Sequence, residues 1–68
     1  MTYKQIYTVS KNKKMNVSQR QKKLEGLFNT LVLEVRDKPP KSKRESDRYW
    51  HRAIEISREI SRVREGKR

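Results

Sequence analysis

The chain has no cysteine, which closes off a disulfide scaffold and any thiolate metal site. Acid is scarce too: 8 Asp and Glu stand against 19 Lys and Arg in 68 residues, a formal net charge of +11. Apolar residues make up only 31% of the chain, with 40% charged. That balance borders on the composition of disordered chains, and a domain this short buries little surface even with an ordinary core. Order therefore requires either two long helices that hold each other or surface supplied by a partner. No apolar run approaches the roughly 20 residues of a membrane span. The N-terminus also lacks the apolar stretch of a secretory signal. These absences lead us to expect an intracellular protein, of the cytoplasm or mitochondrion, with no membrane partner. The two glycines cannot make a glycine-rich phosphate loop, and the single histidine, His51, has only Asp47 four residues before it as a companion. With no nucleophile or zinc spacing nearby, His51 is expected to be an exposed helix residue facing Asp47 or a phosphate. The chain as a whole is expected to be non-enzymatic, without cofactor or metal.

Positive charge is what the chain has in excess. Each phosphate neutralised by Lys or Arg releases condensed counterions, and that release drives binding to nucleic acid without any reading of sequence. RNA is the expected ligand and DNA the alternative, with other proteins of an assembly as further partners. From Met1 to Lys23 there is no acidic residue, while Lys4, Lys11, Lys13, Lys14, Arg20, Lys22 and Lys23 are all positive. A block of one sign behaves as an arm that its ligand orders. Inside it, residues 3–9 are rich in β-branched and aromatic side chains, with Tyr3, Tyr7 and Val9 on one face at period two, which predicts a short strand. The chain offers no second strand, so this one must pair elsewhere or stay extended. Residues 1–15 are thus expected as a basic extended N-terminal arm and residues 16–68 as a helical hairpin.

The first helix of that hairpin is expected to start near Asn16 or Ser18, and Asn16 with Gln19 forms a fair capping box. Leu24, Leu27, Phe28, Leu31 and Val35 then follow at helical spacing, widened by Val32 and Leu33. Gly26 inside this run either costs about 1 kcal/mol relative to Ala or admits a close neighbour. Pro39 and Pro40 end the helix by Lys38. Ser42 and Glu45 make a second capping box, and Tyr49, Ala53, Ile56, Ile60 and Val63 form a narrow seam, with Trp50 and Ile54 at its edge. Glu55 with Arg52 or Arg58, and Glu59 with Arg62, are expected as exposed pairs. Gly66 ends the helix. The predicted fold is mainly α: a short N-terminal strand or extended arm, then a two-helix antiparallel hairpin over about residues 17–37 and 42–65. Leu24, Phe28, Leu31 and Val35 should pack against Tyr49, Ala53, Ile56 and Ile60.

Arg44, Arg48 and Arg52 step by four along the second helix, preceded by Lys41 and Lys43. Guanidinium offers phosphate two donors at once, so this is a candidate phosphate-tracking face. The competing reading is a solvated face laced with salt bridges. Arg58 and Arg62 extend the positive charge, diluted by Glu55 and Glu59. Tyr49 opens the apolar seam and is read as core. Trp50 is either core or a platform for an unpaired base. The candidate nucleic-acid contacts are Lys11, Lys13, Lys14, Arg20, Lys22, Lys23, Arg36, Lys38, Lys41, Lys43, Arg44, Arg48 and Arg52, with Trp50 for stacking.

Three stretches carry a resemblance to a known family. These are Leu33-Glu34-Val35-Arg36, then Lys38-Pro39, then Lys43-Arg44-Glu45-Ser46 with Arg48, Trp50 and Arg52. Over roughly residues 27 to 55 they resemble small-subunit ribosomal protein twenty-one, including its mitochondrial members. The resemblance implies an extended N-terminal segment followed by two helices. It further implies a ribosomal-RNA-binding protein on the small-subunit platform near the messenger exit path, with Arg36, Lys38, Arg44, Arg48 and Arg52 as RNA contacts. Two other readings of the residues stay open. A ribbon-helix-helix DNA-binding regulator would pair its strand with a second copy and read bases through Lys4 or Gln5. A small viral or accessory protein would bind a host protein through the apolar stripes.

Overall fold

The amides that open a helix lack intrahelical partners, and three side chains in this chain supply them. Thr2, Asn16 and Ser42 each accept from the backbone N–H three residues on, and each begins a helix. The computed structural model describes residues 2–68, which form α1 (Tyr3–Ser10), α2 (Val17–Asp37) and α3 (Lys43–Arg64). The Asn16 box is reciprocal: Asn16 Oδ1 accepts from Gln19 N at 2.8 Å, and Asn16 N donates to Gln19 Oε1 at 3.1 Å. The expected Ser42 box is only half made. Ser42 Oγ accepts from Glu45 N at 3.2 Å, but the Glu45 carboxylate takes its hydrogen bond from Lys41 N instead.

The expected N-terminal strand, or extended arm, is a helix. Thr2 and Gln5 form a reciprocal capping box over Tyr3–Ser10. The physical reason lies in burial. As a strand this segment would need a partner for its backbone, whereas as a helix it satisfies that backbone itself and buries one face. Ile6 and Ser10, one turn apart, are fully buried, and Val9 packs beside them. Eight residues are too few for a stable isolated helix, so α1 depends on this packing. It touches both α2 and α3.

The hairpin is as expected in outline. Leu24 and Leu31 of α2 and Ile56 and Val63 of α3 join Ile6 in one buried cluster, with Leu27, Phe28, Tyr49, Ala53 and Ile60 partly buried against it. Burial of an aliphatic side chain contributes about 1.5–3 kcal/mol, so α1 adds a material share of a small core through Ile6. The molecule is elongated, 38 × 18 × 16 Å.

The two glycines do opposite things. Gly66 adopts φ 77°, and the chain closes a Schellman turn in which Gly66 N donates to Val63 O at 3.2 Å and Lys67 N to Arg62 O at 2.9 Å. Gly26 sits mid-helix with open space where a Cβ would be, so no close packing among the described residues requires a glycine there. Gly26→Ala is expected to stabilise by about 1 kcal/mol, and Gly66→Ala to destabilise by about 1–2 kcal/mol through left-handed strain. Thermal melts of the two variants should move in opposite directions. A shared direction would contradict the assignment.

Candidate nucleic-acid interface

The first half of α3 meets the α2–α3 connection at one end of the hairpin. There Lys38, Lys41, Arg48 and Arg52 surround a shallow concavity of about 390 Å³ together with Pro39, Tyr49 and Glu45. Arg44 lies one turn before Arg48 and is exposed. Steps of four put Arg44, Arg48 and Arg52 on one side of α3, while the Pro39-Pro40 turn brings Lys38 and Lys41 across to the same end. Glu45, the one acid in the concavity, is engaged by Lys41 N at 3.0 Å. Among the described residues none of Lys38, Lys41, Arg44, Arg48 or Arg52 has an ion-pair partner. An anion entering here meets several cations that make no ion pair, with the Glu45 carboxylate as the one opposing charge among the lining residues. Tyr49 is half-buried against the core, as its place in the seam suggested.

The other candidates are dispersed. Lys11, Lys13 and Lys14 are exposed in the loop between α1 and α2, and the Lys11 ammonium lies 5.7 Å from the Tyr7 ring centroid. That loop and the concavity are separated by the length of α2, about 31 Å at 1.5 Å per residue. Lys22, Lys23, Arg36 and Lys43 are exposed at separate places on α2 and α3. Trp50 is 65% exposed, so it is not core. It stands two residues from both Arg48 and Arg52, which sets it on the opposite side of α3 from the arginines. There it lines an apolar groove with Phe28, Ala53 and Ile54. His51 is exposed.

Arg20 requires a correction, because it is buried at 7% exposure rather than presented to a ligand. Its guanidinium Nη1 donates to the Ser10 carbonyl at 3.1 Å and to the main-chain oxygen of Arg68 at 3.2 Å, which ties α1 and the C-terminal residues to α2. Its Nε has no hydrogen-bond partner among the described residues. Arg20 is in phase with Leu24, Leu27 and Leu31, so its helical position places it inside.

Glu59 is the second correction. The expected pair with Arg62 is present at 3.1 Å, but Glu59 is fully buried and not on an exposed face. The Schellman turn at Gly66 folds the chain back so that Arg68 reaches Glu59 with two nitrogens, Nη2 to Oε1 at 2.7 Å and Nε to Oε2 at 3.0 Å. Burial pushes the Glu59 carboxyl up, but the hydrogen bonds and charges of Arg68 and Arg62 together outweigh it and hold the pKa below the ordinary value. Arg68 is correspondingly raised, chiefly by its hydrogen bond to Glu59. Glu55 pairs with Arg62 at 3.3 Å, not with Arg52 or Arg58, and accepts from the Tyr7 hydroxyl at 2.9 Å. That hydrogen bond is the main reason the Tyr7 pKa is raised. The result is a polar network that fastens α1 and the C-terminal residues onto α3, away from the concavity.

No protein-family model, no curated protein and no solved structure matches this chain.

Proposed function

We propose that the chain is a non-enzymatic RNA-binding protein, a structural component of an RNA–protein assembly such as the small ribosomal subunit, which grips phosphates at the α2–α3 end of its hairpin. The observation that carries this is the cluster of Lys38, Lys41, Arg48 and Arg52, flanked by Arg44 and free of ion-pair partners among the described residues. Four cations to one carboxylate in a shared concavity suit a polyanion better than a solvated salt-bridge face would. RNA is favoured over DNA on the resemblance to small-subunit ribosomal protein twenty-one, whose Lys38-Pro39 and Lys43-Arg44-Glu45-Ser46 stretches fall at this end. The ribbon-helix-helix reading loses support on two counts. Residues 3–10 are helical, and Gln5, its proposed base reader, is held in the capping box with Thr2.

Titrating the chain against a short RNA hairpin at a series of salt concentrations tests the reading. With four or five phosphates neutralised, log Kd should rise with log salt at a slope of about 3 to 5. A DNA hairpin of the same sequence should bind more weakly. Salt-independent binding would favour a protein partner, and stronger, sequence-selective binding to DNA would favour a regulator.

A further inference from the structure

Helix α3 carries two seams of alternating four- and three-residue steps. The inner one, from Tyr49 to Val63, is spent in the core. One residue further along lies a second seam: Lys43, Asp47, Trp50, Ile54, Ser57, Ser61 and Arg64, with Arg58 and Glu65 at its edge. It is uncovered. Trp50 is 65% exposed, Lys43, Asp47, Ser57, Ser61 and Glu65 are exposed, and Trp50, Ile54, Ser57 and Ser61 line the apolar groove with Phe28.

We propose that this outer seam is the interface of a two-fold symmetric dimer, in which α3 packs antiparallel against α3 of a second copy about Ile54. In that pairing Ile54 meets its own symmetry mate. Trp50 enters the hole between Ser57 and Ser61 of the second copy, bulk against small side chains, as knobs-into-holes packing requires. Asp47 comes within reach of Arg58, and Lys43 stands opposite Glu65. A two-fold interface must be complementary to itself, and this stripe is so in both shape and charge.

The charge pattern selects a second copy as the occupant. Lys43, Asp47, Arg58, Arg64 and Glu65, three positive and two negative, sum to +1 on a chain whose formal net charge is +11. The seam is therefore a nearly neutral approach to an otherwise repulsive molecule. Neither Asp47 nor Arg58 has an ion-pair partner in its own chain among the described residues. Glu65 meets Lys67 at 3.1 Å, an exposed pair that solvent screens and that readily exchanges. A stripe one helix long buries on the order of 1,000 Å² in total, which places the dimer at the weak end of specific association. The arginine side of α3 faces away from the seam, so the dimer stands independently of the RNA reading.

Sedimentation equilibrium of the full chain, stripped of nucleic acid, tests the proposal at low and at high salt. A monomer–dimer equilibrium is expected, and high salt should tighten it by screening the repulsion between two positive chains. The chain's single tryptophan, Trp50, should shift its emission to the red on dilution through the same range. Asp47→Arg sets Arg against Arg58 and should weaken the dimer at least about tenfold. Adding Arg58→Asp to that variant should restore it. Circular dichroism of each variant separates lost association from lost fold, and Arg58→Asp alone repeats the test should Asp47→Arg fail to fold. A monomer at every concentration, a dimer indifferent to Asp47→Arg, or a double exchange that fails to restore association would each overturn the proposal.

Discussion

Replacing Arg44, Arg48 and Arg52 together by Ala is expected to weaken RNA binding by about 100-fold, at roughly 1 kcal/mol for each phosphate left without its guanidinium. The same variant should flatten the salt slope by about 3, one phosphate for each arginine removed. The helix itself should survive, because Ala is the better helix former and none of the three arginines has an ion-pair partner among the described residues. A control at the far end sharpens the experiment. Lys11, Lys13 and Lys14 lie about 31 Å away along α2, and their joint replacement should cost less than about tenfold if the concavity is the main grip. Equal losses at both ends would mean that RNA spans the whole molecule. An unchanged affinity in the triple arginine variant would sink the phosphate-gripping assignment. A loss confined to one sequence would point to base reading, because phosphate contacts position a ligand without reading it.

Much of this fold is written in local signals, and the one element misread shows how two such signals compete. The limits of α2 and α3 follow from Asn16, the Pro39-Pro40 turn, Ser42 and Gly66, each acting through its own backbone chemistry. The same kind of signal is present at Thr2 and Gln5, and it marks α1. Against it stood the β-branched and aromatic content of residues 3–9, a weak preference that reflects how side chains pack on a sheet. Over so few residues, period two through Tyr3, Tyr7 and Val9 and period 3.6 through Ile6, Val9 and Ser10 both fit. What decides between them is the exposed flank of the hairpin, where a short helix can bury Ile6 and a lone strand would leave its backbone unpaired.

The candidate site was legible as composition more than as geometry. The arginine ladder reads directly from its spacing, and its lack of carboxylate partners requires the folded chain. Trp50 belongs to the opposite side of α3 for a reason visible in the numbering, since residues two apart on a helix do not share a face. Arg20 and Glu59 are instructive together. Each sits in phase with the apolar residues of its helix, Arg20 with Leu24 and Leu31, Glu59 with Ile56 and Val63. Counting charge along the chain assigns both to the surface, and helical phase assigns both to the interior. Apart from Arg62, one turn from Glu59 on the same helix, their partners are the Ser10 carbonyl and the Arg68 main-chain oxygen and side chain, which the turns at residues 11–16 and Gly66 bring close.

Glu59→Gln should destabilise the protein by about 2 kcal/mol at neutral pH, the scale of hydrogen bonds to a charged group inside a structure. For a domain of this size that is a fall of about 8–16 °C in the thermal midpoint. The substitution keeps the shape of the side chain but removes the charge that Arg68 and Arg62 address, at 2.7 and 3.1 Å. It should also release the C-terminal residues and, through the main-chain oxygen of Arg68, loosen the hold on Arg20. The pH dependence carries the sign of the effect. The folded pKa of Glu59 is lowered, so its ionised form contributes stability that is fully present above the unfolded value of about 4.3 and is lost as pH falls through the lowered folded pKa. The gap between the wild-type and Gln melting points should therefore be widest near neutrality and close as pH falls below about 4. A gap that persists unchanged into acid would mean that the glutamine disturbs packing and that the buried charge is not what fastens the C-terminal residues to α3.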